Sequence, residues 1–173
     1  MQRYFRSYFL LMGSATVLGG FFGHAFFYAF GLPFKIPGWS LSMCAVTLLP
    51  LASLPIAKPW LGSGSTTPLS ILLITELLAM MVLSIVTVNF KWVEIHSTIA
   101  LVTLFFLHSY VFVMTKSTGS LMFVLAVMVI SLSAVVFTTK ISLGPWFNHL
   151  DISHVFMAAG TYLFYRGAVL LRE

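Results

Sequence analysis

The chain has 173 residues, 60% from the hydrophobic set and 8% charged, with a net charge of +5 and a mean hydropathy of +1.02. A soluble domain carries about 25% charged residues. Disorder, coiled coils, disulfide scaffolds and free nucleic-acid binders all need compositions this chain lacks, which leaves an all-α integral membrane protein. The one cysteine, Cys44, sits in an apolar run and makes neither an internal disulfide nor a cysteine-rich metal site.

A bilayer core of roughly 30 Å takes about 20 apolar helical residues, and six runs of that length are bounded by charges, glycines and prolines. The first, 7–30, follows Arg3 and Arg6 and ends at Gly31-Leu32-Pro33. It is too long for the apolar core of a signal peptide, and no small-x-small cleavage site follows it, so it is read as a retained span. The second, 39–57, contains Pro50 and Pro55, which predict a kink or a shortened far end. The third, 69–88, follows the loop Gly62-Ser63-Gly64-Ser65-Thr66-Thr67, with Thr67 as the expected cap and Pro68 in the first helical position. The fourth is 92–115, the fifth 120–138 and the sixth 149–171, so that residues 1–173 form a single transmembrane helical domain. The loops are too short for a soluble catalytic or nucleotide-binding module, and any chemistry must use side chains projecting from the helices.

Six spans put both termini on one side. That side holds Arg3, Arg6, Lys58, Lys116, Arg166 and Arg172, and the other holds Lys35, Lys91 and Lys140. The excess predicts cytoplasmic termini, in what we expect to be a bacterial inner membrane. The net charge then reflects topology and attraction to anionic lipid, with no nucleic-acid partner implied.

Ionisable residues inside a span are expensive and are the first functional suspects. His24 falls near the far end of the first span, Glu94 and His96 open the fourth, and Asn148, His149, Asp151 and His154 open the sixth, all towards the side opposite the termini. At about 100° per residue, Asp151 and His154 share a face, whereas Glu94 and His96 point in nearly opposite directions. A span polar on two faces fits the middle of a bundle, so the fourth helix is expected to be central.

This depth pattern suggests a metal centre with His24, His96 and His154 as ligands and His149 as a substitute. Three neutral imidazoles leave a fourth zinc position for a water whose pKa falls to about 7. Asp151 or Glu94 would handle the proton or orient a ring. Gly19 and Gly23 form a GxxxG pair that allows a neighbour to approach the first helix closely.

Plainer readings stand beside these. His24 can hydrogen-bond a helix carbonyl, and His149 can be an interfacial loop residue. Asn148 followed by Asp151 has the form of a capped helix start, and Glu94 has the same helix-dipole explanation. At the other depth, Glu76 and His108 are expected to form a buried pair, either a polar clamp or a proton-relay step.

The segment from Asn148 to Phe156 resembles the start of the final helix in the CREST superfamily of membrane proteins, the alkaline ceramidases and the progestin and adipoQ receptors. The segment Gly19-Gly20-Phe21-Phe22-Gly23-His24 is similar to the approach to an earlier histidine there. The resemblance implies zinc, a three-histidine site drawn from His24, His149 and His154, and an amide-hydrolase activity on lipids such as ceramide; the shared depth of the histidines suggests, more broadly, a zinc-dependent hydrolase of a lipid amide or ester. The chain departs from the family in the four residues between His149 and His154, where the family has three, and in Gly20 at the place of a serine. Competing readings are a haem-binding electron-transfer protein, an accessory subunit acting with a partner membrane protein or as a homo-oligomer, and a proton- or ion-coupled carrier. Membrane lipids are the expected surroundings in each.

Overall fold

The computed structural model describes residues 2–62, 64–144 and 146–171. Ser63 of the predicted loop and Arg172 of the charge count lie outside the described residues. The described residues are helical and contain no strand; one isolated bridge pairs Gly144 with Phe147. The helices are α1 (Gln2–Gly20), α2 (Phe27–Phe30), α3 (Ile36–Leu61), α4 (Thr66–Thr87), α5 (Lys91–Thr115), α6 (Thr118–Thr139) and α7 (His149–Leu170). Five segments are long and apolar enough to cross a membrane: Gln2–Ala25, Leu32–Leu61, Thr66–Thr87, Lys91–Thr115 and Thr118–Thr139. The 22 residues of α7 are of similar length, but His149, Asp151, His154 and Arg166 lower its apolarity.

The chain forms two compact units whose boundary falls inside α5, between Thr103 and Leu104. In the first, α3 is the packed centre. More than half of its most apolar stretch is buried, against about a tenth for α1 and α4, and α1 and α4 both pack on it. The fourth span was expected at the centre because it is polar on two faces. Its buried residues in this unit, Val93, His96 and Ala100, instead follow one stripe, and Glu94 lies off that stripe in the first turn.

The local sequence explains how these elements begin and end. The expected first span is broken: α1 gives way to a π-helical turn at Phe21–Ala25, then α2, and Gly31 at φ +74° closes the segment. The aromatic rings of Phe21, Phe22, Phe26, Phe30 and Phe34 cluster there. Helix α3 runs unshortened through Pro50, Pro55 and Pro59. Two buried hydroxyls bond back to their own helix, Thr47 to Met43 O at 2.9 Å and Ser53 to Leu49 O at 2.8 Å, which satisfies these polar groups within an apolar helix. The predicted Thr67 cap is corrected. The residue before α4 is Ser65, whose hydroxyl donates to Leu61 O at 2.8 Å and so serves the end of α3.

Close approach between α1 and α3 comes from Gly38. A Cβ there would stand 3.4 Å from Ala15 O and 3.5 Å from Gly19 N, whereas one on Gly19 would meet nothing within 4 Å. Gly19 of the expected GxxxG pair is therefore part of the surface approached, while Gly23 faces the Lys35 side chain, and the residue that permits the approach sits on the partner helix.

In the second unit α6 packs along α7 through glycines on both helices. A Cβ on Gly167 would lie 3.0 Å from Gly119 O, and one on Gly119 3.1 Å from Gly167 O. Phe123 fills the seam beside Gly167, 5.3 Å from the Phe164 ring. Helix α7 opens with a reciprocal capping box: Leu150 N donates to Asn148 Oδ1 at 2.8 Å, and Asn148 N donates to Asp151 Oδ2 at 2.9 Å.

Candidate functional site

The most polar buried cluster lies in the first unit and joins α3, α4 and α5. Glu76 stands at the middle of α4, ten residues after Thr66 and eleven before Thr87. Its Oε2 is 2.7 Å from His96 Nδ1, with the imidazole 1% exposed and the carboxylate side chain 14% exposed. The far ring nitrogen, Nε2, faces two oxygens on α3, Thr47 Oγ1 at 3.1 Å and Met43 O at 3.1 Å. Thr47 is itself buried.

A nitrogen and a carboxylate oxygen at 2.7 Å need one proton between them, because two facing lone pairs repel. The pair is thus either imidazolium with carboxylate or imidazole with carboxylic acid, and both forms are neutral overall when Nε2 keeps its own hydrogen. Neutrality is what permits two ionisable groups among apolar helices. The other carboxylate oxygen, Glu76 Oε1, is buried and has no hydrogen-bond partner. A buried acceptor without a partner costs about 1–3 kcal/mol, so this oxygen is a strained point of the cluster.

The pairing differs from the sequence expectation. Glu76 was matched with His108 by depth, but Glu76 lies at the helix midpoint, where depth favours neither end. His108 belongs to the second unit, where it is buried, stacks on Phe123 at 4.2 Å with a 12° interplanar angle, and has Nδ1 3.2 Å from Ser120 Oγ.

The expected metal ligands have separate surroundings. Both ring nitrogens of His96 face protein groups. His24 lies on the π-helical turn and is exposed. His154 is exposed and its Nδ1 donates to Leu150 O at 2.6 Å, one turn back in its own helix. His149 is the first residue of α7, its backbone N–H donating to Ser142 Oγ at 3.2 Å and its ring 6.1 Å from Phe137. Among the described residues no group of three or more histidine, cysteine, aspartate or glutamate side chains is gathered closely enough to hold a metal ion. Zinc needs ligand nitrogens converging at about 2.0–2.1 Å, and haem needs a ring nitrogen aimed at iron. The arrangement around His96 fits neither group.

The proposed proton-handling acids also have local partners. Asp151 is held in the capping box, and Glu94 Oε2 pairs with Lys91 Nζ at 3.0 Å in the first turn of α5. The residues that sequence reasoning missed are Thr47 and the Met43 carbonyl. Thr47 stands three residues before a proline inside an apolar helix, and that polar placement was the available signal.

No curated protein and no solved structure matches this chain. Along residues 1–173 it matches DUF6962, and the chain belongs to that family of unknown function.

Proposed function

We propose that this is a multi-pass membrane protein that binds and transfers protons at the Glu76–His96 pair, in the manner of a proton-coupled carrier. The observation that carries this reading is a half-buried carboxylate with one oxygen on a buried imidazole and the other, itself buried, without a hydrogen-bond partner. A pair needed only as a clamp has no use for the second oxygen, whereas a proton site needs an acceptor position that can be filled and vacated. Ionisable residues inside membrane helices commonly mark proton relays.

The reading includes six crossings with both termini on the cytoplasmic side. Support for a sixth comes from α7, whose 22 residues span about 33 Å at a rise of about 1.5 Å per residue. Its glycine seam with α6 provides the close approach that small residues give helices in lipid.

The test is proton movement into vesicles that contain the purified protein and a pH-reporting dye, driven by an imposed potential. Wild-type protein is expected to exceed protein-free vesicles, and Glu76→Gln to lower the excess by about a hundredfold, the scale of losing a positioned acid–base group. An excess flux that survives Glu76→Gln in folded protein would sink the proposal.

A further inference from the structure

We infer that Thr47 and the Met43 carbonyl lock His96 as an Nε2–H donor, so that the pair exchanges its proton through Glu76 alone. This rests on the proton-site reading above and specifies how that site opens.

The donors and acceptors around Nε2 fix its protonation. Met43 O is an acceptor only, and it stands 3.1 Å from Nε2. A bare Nε2 would oppose one lone pair to another, so the nitrogen carries hydrogen. Thr47 has a single hydroxyl proton, and its Oγ1 is 2.9 Å from that same carbonyl, one turn back in α3. With the hydroxyl proton directed to Met43 O, a lone pair of Oγ1 is left facing Nε2 at 3.1 Å. Nε2–H then has two acceptors, and both belong to α3. This network sets the tautomer of the ring.

The lock has a consequence for proton traffic. A through-relay would require Nε2 to lose its hydrogen to the α3 side while Nδ1 gains one. On the α3 side, Met43 O cannot accept a proton, and the Thr47 hydroxyl already spends its own on that carbonyl. The ring is fully buried there. On the α4 side, one proton lies between Nδ1 and Oε2, and Oε1 is an acceptor without a partner. Loading and unloading therefore run through the Glu76 carboxyl. A one-port site serves two sides of a membrane by exposing its port to each in turn, which assigns the movement to α4, the helix that carries Glu76. Thr47 is in this sense a positioning residue, acting on the proton through His96.

The test is nitrogen NMR on the full chain labelled with 15N-histidine in lipid, with the His96 signals assigned by their loss in His96→Gln. In wild-type protein, Nε2 is expected to carry hydrogen and to exchange it slowly with solvent. Thr47→Val removes one of the two acceptors and is expected to speed that exchange about fivefold, the worth of one hydrogen bond of about 1 kcal/mol, and Thr47→Ser is expected to restore it. A stability role alone would not change exchange at one ring nitrogen and be rescued by serine. An unprotonated Nε2 in the wild type overturns the lock whether or not the variants fold, as does exchange unaltered in a folded Thr47→Val protein. A locked Nε2 without proton flux in the vesicle experiment would instead overturn the proton-site reading and leave a structural clamp.

Discussion

The Glu76 carboxylate meets His96 Nδ1 at 2.7 Å, joining the midpoint of α4 to the second turn of α5 within an apolar unit. Breaking such a pair from one side leaves the other ionisable group without its partner among apolar helices, which costs about 3–5 kcal/mol, whereas replacing both partners with apolar residues is often neutral or stabilising. His96→Leu should therefore destabilise the folded protein by about 3–5 kcal/mol, and Glu76→Leu with His96→Leu should recover most of that loss. Reversible unfolding in detergent micelles checks both values. Proton movement in vesicles should be lost in the single and the double variant alike. A double variant as stable as wild type and inactive would show that the pair is kept for its chemistry.

Helix α7 offers a test of a different kind, because the same residue carries a catalytic and a capping interpretation. Asp151 accepts from Asn148 N at 2.9 Å, and the reciprocal bond from Leu150 N to Asn148 Oδ1 completes the cap. Asp151→Ala should cost about 0.5–2 kcal/mol of unfolding free energy, as loss of a cap does, and leave proton movement at the wild-type rate. Loss of activity in a stable Asp151→Ala protein would return that residue to the chemistry.

Helix positions were legible from hydropathy because apolar length and charged boundaries are local properties. The fourth, fifth and sixth predicted spans differ from α5, α6 and α7 by at most two residues at either end. The cap at Asn148 was legible for the same reason, since its partners lie within one turn. The break at Phe21–Ala25 was not, because a π-helical turn leaves composition unchanged. The pairing of Glu76 was not legible either, for it depends on how helices rotate and cross. Depth alone could not separate His96 from His108. Thr47 was not legible because a threonine in an apolar helix ordinarily bonds its own backbone, and this one does so while also facing Nε2.

The seam between α6 and α7 should respond sharply to small additions. A Cβ on Gly167 would lie 2.6 Å from Phe123 Cδ2 and 3.0 Å from Gly119 O, and the second contact is to backbone that cannot swing aside. Gly167→Ala is expected to destabilise by about 1–3 kcal/mol, the range for overpacking a well-filled interior. Gly13→Ala in α1, where nothing stands within 4 Å, is the control and should not lose stability. Paired unfolding curves for the two variants decide the matter. Equal stability would mean that the two helices do not approach as described.

The turn between α4 and α5 stores strain that a substitution can release. Val88 ends α4 in the left-handed region, at φ 48° and ψ 43°. A β-branched side chain is poorly suited to that conformation, in which Cβ crowds the following carbonyl at a cost of about 1–2 kcal/mol. Glycine removes the crowding but loses about 0.5–1 kcal/mol through the freedom of its unfolded backbone. Val88→Gly should therefore stabilise by about 0.5–1 kcal/mol, and Val88→Asn should move in the same direction because asparagine tolerates this region. Val88 is not among the groups that contact the Glu76 carboxylate or the His96 ring nitrogens. A higher unfolding midpoint with unchanged proton movement is the expected result. A lower midpoint in both variants would mean that Val88 contributes more by packing than it loses in its backbone conformation.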